Sequence, residues 1–581
     1  MIESAKRWFL KVAAWLDELR HQENQLAMVL SLVIGAVVGL VVVVFIKVTS
    51  GLTTSFFPEN GSEWRRVLVP VLGALGSGYL LYRFFPAARG SGVPQTKAAI
   101  YIRDGRIRFH TVIGKFLCCS VSLASGIALG REGPSVQIGA GIASLFGRRL
   151  KMSTEQLKAL IPVGGAAALA AAFNTPIAAV LFSLEEIVGD LHAPVLGSVV
   201  LSSATSWIVL HLLLGDEPFF HVAPYHLVSP VELLVYAVLG IAGGVASAAF
   251  ARLLLSLRAR FLAMPSRTAW AHPVVGGLTV GVMGLFLPDV LGVGYPAVDK
   301  VLGGVMVFKI VLLLAILKLI ATAVCYASGN AGGIFGPSLF IGAMLGGAVG
   351  QIAHMIAPAH TATAGAYALV GMGAVFAGVV RTPMTSVIMI FELTRDYSII
   401  VPLMISNLIA FFISQRMQRD SLYDALAQQD GIHLPSGVTR AVSSRFRVAA
   451  VMHPTAEIIP PTMPVAEAKA RLTAGTGGRL IAGAERLTLL DAATLDAAIG
   501  RGEGSLPVAH LLGSEPPTAS EQSEHLHADH SLDVALRRMG ETGRDVLPVV
   551  SRDDVRHLLG AVTLTDVLTS YGVERAIKPD T

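Results

Sequence analysis

Six residues, Gly130-Arg131-Glu132-Gly133-Pro134-Ser135, break an apolar stretch that begins near residue 116 and resumes beyond them. A charged side chain at mid-membrane costs about 2.5–3.5 kcal/mol on insertion scales, so an intramembrane Glu132 marks function by default. Irregular backbone at that depth is tolerated only where protein or a cavity surrounds it. Pro134 favours the first position of a new helix, and the glycines let backbone amides approach a ligand. A helix N-terminus presents unpaired N–H groups and a partial positive charge, which together bind anions. The stretch therefore predicts an anion-attracting site that carries a proton-binding carboxylate.

Composition fits that setting. Of 581 residues, 53% are hydrophobic and 15% charged, which places most of the chain in lipid as a multi-pass, polytopic α-helical membrane protein. The formal charge of +5 reads as basic loops and termini, because Lys and Arg fall between apolar spans, and no nucleic-acid motif is present. Cys118, Cys119 and Cys325 sit in apolar segments without metal or redox spacing, so buried packing is expected. Residues 1–25 lack the order of a signal peptide. Their Trp8, Phe9, Leu10, Val12 and Trp15 suggest an amphipathic helix on the membrane surface.

Helices are expected at 26–49, 66–84, 155–172, 177–189, 193–214, 231–256, 273–292, 306–327, 338–356, 366–379, 384–393 and 398–414. Basic loops are expected at 97–115 (Lys97, Arg103, Arg106, Arg108, Lys115), 148–151 and 252–267, on the cytoplasmic side by the positive-inside rule. Several apolar segments are too short and too often broken by Gly for full spans. Comparing the chain with itself explains them. Gly133-Pro134-Ser135 with Ile138-Gly139-Ala140 matches Gly336-Pro337-Ser338 with Ile341-Gly342-Ala343 at an offset of 203 residues. Val163-Gly164, Thr175-Pro176 and Glu185 match Val370-Gly371, Thr382-Pro383 and Glu392 at 207. The chain thus reads as a duplication over about 26–215 and 231–415, and paired broken segments point to a binding site between the halves. Glu132 falls opposite Phe335 and Arg131 opposite Ile334.

Three motifs, Gly90-Ser91-Gly92-Val93-Pro94, Gly130-Arg131-Glu132-Gly133-Pro134 and Gly333-Ile334-Phe335-Gly336-Pro337, followed by Tyr423, resemble the anion-site motifs of the CLC family of chloride channels and chloride/proton exchangers. The resemblance covers about 26–430. It implies an inverted-repeat fold with broken and tilted helices, and a homodimer with one pore per subunit. By the same resemblance Ser91 and Tyr423 offer hydroxyls to a central chloride, and the amides of Ile334 and Phe335 help bind it. Arg131 and Gly133 belong to that chloride-binding set, although Arg131 also reads as a brace for the outer mouth. Glu132 corresponds to the external gating carboxylate and proton acceptor. Ser91, where nitrate-favouring relatives tend to carry Pro, points to chloride. Glu186, after Glu185, occupies the position of a second carboxylate in many exchangers, an internal proton-transfer site, and so favours antiport over a passive gated channel.

Read without the family, each residue keeps a plainer role. Glu132 could cap a helix, Ser91 could serve a turn, Tyr423 an interface anchor and Glu186 a salt bridge or a solvated vestibule. Glu185 and Glu392, as repeat equivalents, read as structural. An intramembrane enzyme is disfavoured, since HExxH and convincing Ser/His or paired-Asp signatures are missing.

Beyond a linker at 431–445 the composition becomes soluble. Residues 446–581 resemble a CBS domain pair, an α/β module, with the second copy clearer than the first. Thr565 and Asp566 would sit where that family contacts an adenine nucleotide, the one cofactor suggested here; a purely structural pair is the alternative. His525, His527 and His530 read as a surface group rather than a metal site. Location in the plasma (inner) membrane with both termini cytoplasmic completes the expectation.

Overall fold

Glycine decides where the helices of this chain meet. The computed structural model describes residues 23–58, 61–191, 195–216, 219–220, 228–432, 434, 447–453, 458–474, 480–482, 488–490, 492–511, 525–551 and 557–571. They fall in two units, residues 1–434 and 435–581. The expected surface helix at 1–25 and the linker at 431–445 lie almost wholly outside the described residues.

In the first unit the helices Glu132–Arg149 and Thr154–Phe173 cross at Gly139 and Gly164. A Cβ on Gly139 would stand 2.2 Å from the Gly164 carbonyl oxygen, and one on Gly164 would stand 2.3 Å from that of Gly139. Helices Phe335–Ile356 and Ala364–Val380 cross in the same way at Gly342 and Gly371, with 2.3 Å in both directions. Lipid gives helices no hydrophobic reason to associate, so close backbone contact through small residues supplies the attraction. The four glycines are the ones matched by the internal repeat.

Among the described residues, seven helices are long and apolar enough to cross a membrane, including Glu23–Phe56, Glu232–Ala263 and Phe308–Ala327. Their outward faces carry bare apolar side chains such as Leu212 and Leu234, 79% and 69% exposed, as lipid requires. Short helices lie between them: Val93–Tyr101, Pro176–Phe182, Tyr295–Leu302, Pro383–Thr394 and Leu422–Gln429.

The two halves exchange caps. Glu185 accepts from the Thr385 amide at 2.8 Å and its hydroxyl at 2.7 Å, at the start of Pro383–Thr394. Glu392 accepts from the amides of Ile177 at 2.9 Å and Ala178 at 2.7 Å, at the start of Pro176–Phe182. Each carboxylate thus satisfies the orphan N–H groups of the other repeat's short helix, the structural role expected of the pair.

A third repeat match emerges beside the site. Gly292-Val293-Gly294-Tyr295-Pro296 follows Gly90-Ser91-Gly92-Val93-Pro94 at an offset of 202. Gly92 and Gly294 both adopt positive φ, +105° and +89°, which only glycine takes without strain. Lys115 donates to the Gly90 carbonyl at 2.7 Å, and Lys318 to those of Gly292 at 2.5 Å and Val290 at 2.9 Å. Here the sequence expectation needs correcting. Lys97 and Lys115 are buried inside helices Val93–Tyr101 and Phe109–Ala124, so the basic loop shrinks to Arg103, Arg106 and Arg108. Charge alone did not reveal that both lysines have buried oxygen partners. The helix expected to start at Pro134 begins at Glu132, which places the carboxylate in its first turn. The cysteines are free and buried.

The second unit holds two small sheets of like topology. In the first, β1 (Ile458–Ile459) pairs parallel with β2 (Leu480–Ala482), which pairs antiparallel with β3 (Thr488–Leu490). In the second, β4 (Leu526–His527) pairs parallel with β5 (Val546–Val550), which pairs antiparallel with β6 (Leu558–Thr563). All of β5 is buried, and the helix Leu532–Thr542 sets Leu532, Ala535 and Met539 into the same core. Spacing at i, i+3 and i+7 gives that helix its buried face.

Candidate functional site

Two turns from opposite repeats join back to back. The amide of Gly130 donates to the Gly333 carbonyl at 2.7 Å, and the amide of Gly333 returns the bond at 2.7 Å. This pair aims the first turns of Glu132–Arg149 and Phe335–Ile356 at one point. The first N–H groups of a helix have no partner within it, and one of them, the Gly336 amide, donates to the Glu132 carboxylate at 3.2 Å. The acid of one repeat thus lies on the helix end of the other, where the partial positive charge favours an anion. Tyr295 donates its hydroxyl to the other oxygen of Glu132. Arg131 points elsewhere. Its guanidinium lies over the rings of Phe219 (5.9 Å) and Tyr295 (5.6 Å), at a cavity of about 240 Å³ lined also by Asn174 and Gly215.

Ser91 and Tyr423 are fully buried, yet neither hydroxyl has a hydrogen-bond partner. An unmade bond in a buried polar group costs about 1–3 kcal/mol, so two such donors demand an explanation. Their elements meet the same centre. A Cβ on Gly133 would stand 2.4 Å from the Ser91 carbonyl oxygen, so Gly133 lets the Ser91 turn lie against the Glu132 turn. Ile334 and Phe335 open the facing helix, and Phe335 is fixed by the rings of Phe173, Phe182 and Phe376 at 4.8, 5.5 and 4.3 Å. The Ser91 amide donates to the hydroxyl of Tyr326 at 3.1 Å. Tyr326 in turn lines a second cavity, of about 470 Å³, together with Gly90, Arg89, Arg103 and Arg258. One cavity is thus bordered by Arg131, next to Glu132, and the other by Tyr326, bonded to the Ser91 amide, and arginines line both.

Glu186 lies on the π-helical turn Ser183–Val188 and is nearly buried. Lys97 reaches it at 2.8 Å and also reaches Asp424 at 2.7 Å. Asp424 follows Tyr423 on the same short helix, so the lysine ties the second carboxylate to the segment that carries the hydroxyl. Sequence reasoning missed Tyr295, Tyr326 and Lys97. The repeat offset of 202 was the available signal for Tyr295.

In the second unit, Asp566 closes a capping box with Thr563. Its carboxylate accepts from the Thr563 hydroxyl at 2.5 Å and amide at 3.1 Å, and its Oδ2 lies 3.0 Å from His453 Nε2. Burial works against ionisation there, yet those hydrogen bonds hold Asp566 below its ordinary value. Thr565 is exposed, and the cap is made by Thr563 instead. The rings of His525, His527 and His530 stack edge to face at 5.1 and 5.0 Å, and the described residues contain no metal-binding cluster.

The family described as voltage gated chloride channel matches residues 73–415, and the CBS domain family matches residues 519–572. A protein of Ralstonia nicotianae named as a ClcB-like chloride channel is 34% identical over 382 residues, 64% of this chain and 88% of its own length. The H(+)/Cl(-) exchange transporter ClcA of Vibrio campbellii is 31% identical over 396 residues, 64% of this chain and 84% of its own. The X-ray structure of a slow cyanobacterial Cl-/H+ antiporter superposes with a TM-score of 0.64 at 25% identity, over 70% of this chain and 97% of that one.

Proposed function

This chain belongs to the voltage gated chloride channel family and carries a CBS domain, and we propose that it is a chloride/proton antiporter of the cell membrane. The observation that carries the reading is the seat of Glu132 on the Gly336 amide. Ionised, the carboxylate competes with chloride for that helix end. Protonated, it loses the charge that holds it and swings away, so uptake of a proton admits an anion. Ser91, Tyr423 and the amides of Ile334 and Phe335 then hold a central chloride. Neutral donors replace its water without binding it so tightly that it stays. Chloride reaches them through the two cavities, where Arg89, Arg103 and Arg258 on one side and Arg131 on the other raise its local concentration.

Glu186 supplies the proton from the cytoplasmic side and passes it toward Glu132 through water. Its pairing with Lys97 makes proton arrival compete with an ion pair. The protein works as a homodimer with a pore in each subunit, a membrane domain over 26–430 and a CBS pair over 446–581 in the cytoplasm, as are both termini. The CBS pair serves structure, because Asp566 is already engaged.

The test is chloride-driven proton movement in liposomes with the potential clamped, for wild type, Glu132→Gln and Glu186→Gln. Uphill proton pumping that both variants abolish while chloride still flows supports antiport. Chloride flux without proton movement in wild type makes the protein a channel.

A further inference from the structure

The turn Gly292–Pro296 is the second repeat's counterpart of the Ser91 turn, and it delivers Tyr295 to the gate. Three contacts fix that tyrosine. Phe219 and Phe220 stand edge-on to its ring at 4.9 and 5.9 Å, and the Arg131 guanidinium lies on it at 5.6 Å. Behind the turn, the buried ammonium of Lys318 bonds the carbonyls of Val290 and Gly292 and lies 4.7 Å from the centroid of the Phe340 ring. Lys318 is therefore a positioning residue for the turn, as Lys115 is for Gly90. The hydroxyl so placed donates to Glu132, and the Gly336 amide holds the other carboxylate oxygen.

We propose that Tyr295 is the latch of the gate: its hydroxyl holds ionised Glu132 in the anion seat and sets the proton concentration at which the carboxylate leaves. A phenol donates equally to any carboxylate oxygen it reaches, but it stabilises the ionised form more than the neutral one. Charged or titratable groups face Glu132 from each neighbouring element. They are Tyr295 on its turn, with Arg131 on the ring of Tyr295 and Lys318 behind the turn, and Tyr423. Of these groups Tyr295 is the one whose side chain donates to the carboxylate, so its removal changes the proton balance without moving a full charge. The inference rests on the gating role of Glu132 and deepens it.

The experiment measures chloride efflux from liposomes of the full chain against pH. Tyr295→Phe keeps the ring and its packing. Loss of one hydrogen bond to an ionised carboxylate raises proton affinity about tenfold, so the midpoint of the efflux profile should move up by about one pH unit. Lys318→Met, which frees the turn and leaves the hydroxyl in place, should move it the same way by less. In a Glu132→Gln background, Tyr295→Phe should change nothing. A Tyr295→Phe midpoint equal to wild type, or an equal shift in the Glu132→Gln background, overturns the latch. Absence of proton pumping in wild type would refute antiport and leave this readout intact, because the efflux profile reports Glu132 in a channel as well.

Discussion

Removing either unpartnered hydroxyl should separate ligand binding from fold stability. Ser91→Ala and Tyr423→Phe delete groups that make no hydrogen bond within the protein, so the fold loses no bond and no thermal stability. Chloride loses one donor in each case. A hydrogen bond to a charged partner contributes about 1.5–3 kcal/mol, and about 1.4 kcal/mol is tenfold in affinity. Each variant should therefore bind chloride about 10- to 100-fold more weakly. The double variant should lose less than the product, because both hydroxyls face one ion and the effects of neighbours do not add. Isothermal titration of chloride into the purified protein reads the affinity, and a melting curve in chloride-free buffer reads the fold. If affinity stays within threefold of wild type, or the melting point falls by several degrees, the two hydroxyls are structural and the central site lies elsewhere.

Other perturbations test the frame around the site. Lys97→Met removes the ammonium shared by Glu186 and Asp424; breaking a buried pair costs about 3–5 kcal/mol, so melting in detergent should drop sharply, with Lys97→Arg retaining much of it. Gly139→Ala and Gly342→Ala push a methyl group to 2.2–2.3 Å from a backbone oxygen and should abolish monodisperse protein on size exclusion, whereas Gly51→Ala, which meets open space, should not. Asp566 has a folded value below its ordinary one, so its contribution to stability is full above about pH 3.9 and disappears as pH falls through the lower folded value. Hydrogen exchange of the Leu564–Ser570 amides in the full chain should accelerate over that acid range, and Asp566→Asn should remove the step.

The glycine-proline turns and the duplication were legible because both leave marks at fixed spacing. Gly139, Gly164, Gly342 and Gly371 stand out as repeat matches, and the structure uses all four as crossings. Glu132, Ser91 and Tyr423 were legible through motifs. Lys97 was not, because its partners lie 89 and 327 residues away, and a lysine among arginines looks like loop charge until a buried oxygen is found for it. Tyr295 lies 163 residues from Glu132. Its turn follows at an offset of 202, close to the 203 of the Gly133 match, but with Val293 in the place of Ser91 the motif no longer carries the serine that marks the first copy. The Thr563 cap was overlooked in favour of Thr565, since the pattern shows both threonines and only the helix start tells which one faces Asp566.

The exchange of caps bears on how a membrane tolerates the making of such a protein. Glu185 is synthesised long before Met384 and Thr385, and Ser91 before Tyr423, so a chain halted midway holds neither a complete seat for an anion nor both partners of any swapped cap. Until the second half is made, Glu185 lacks the donors of Met384 and Thr385 and the short helix at Pro176 lacks the carboxylate of Glu392, so the two halves can complete their caps only together.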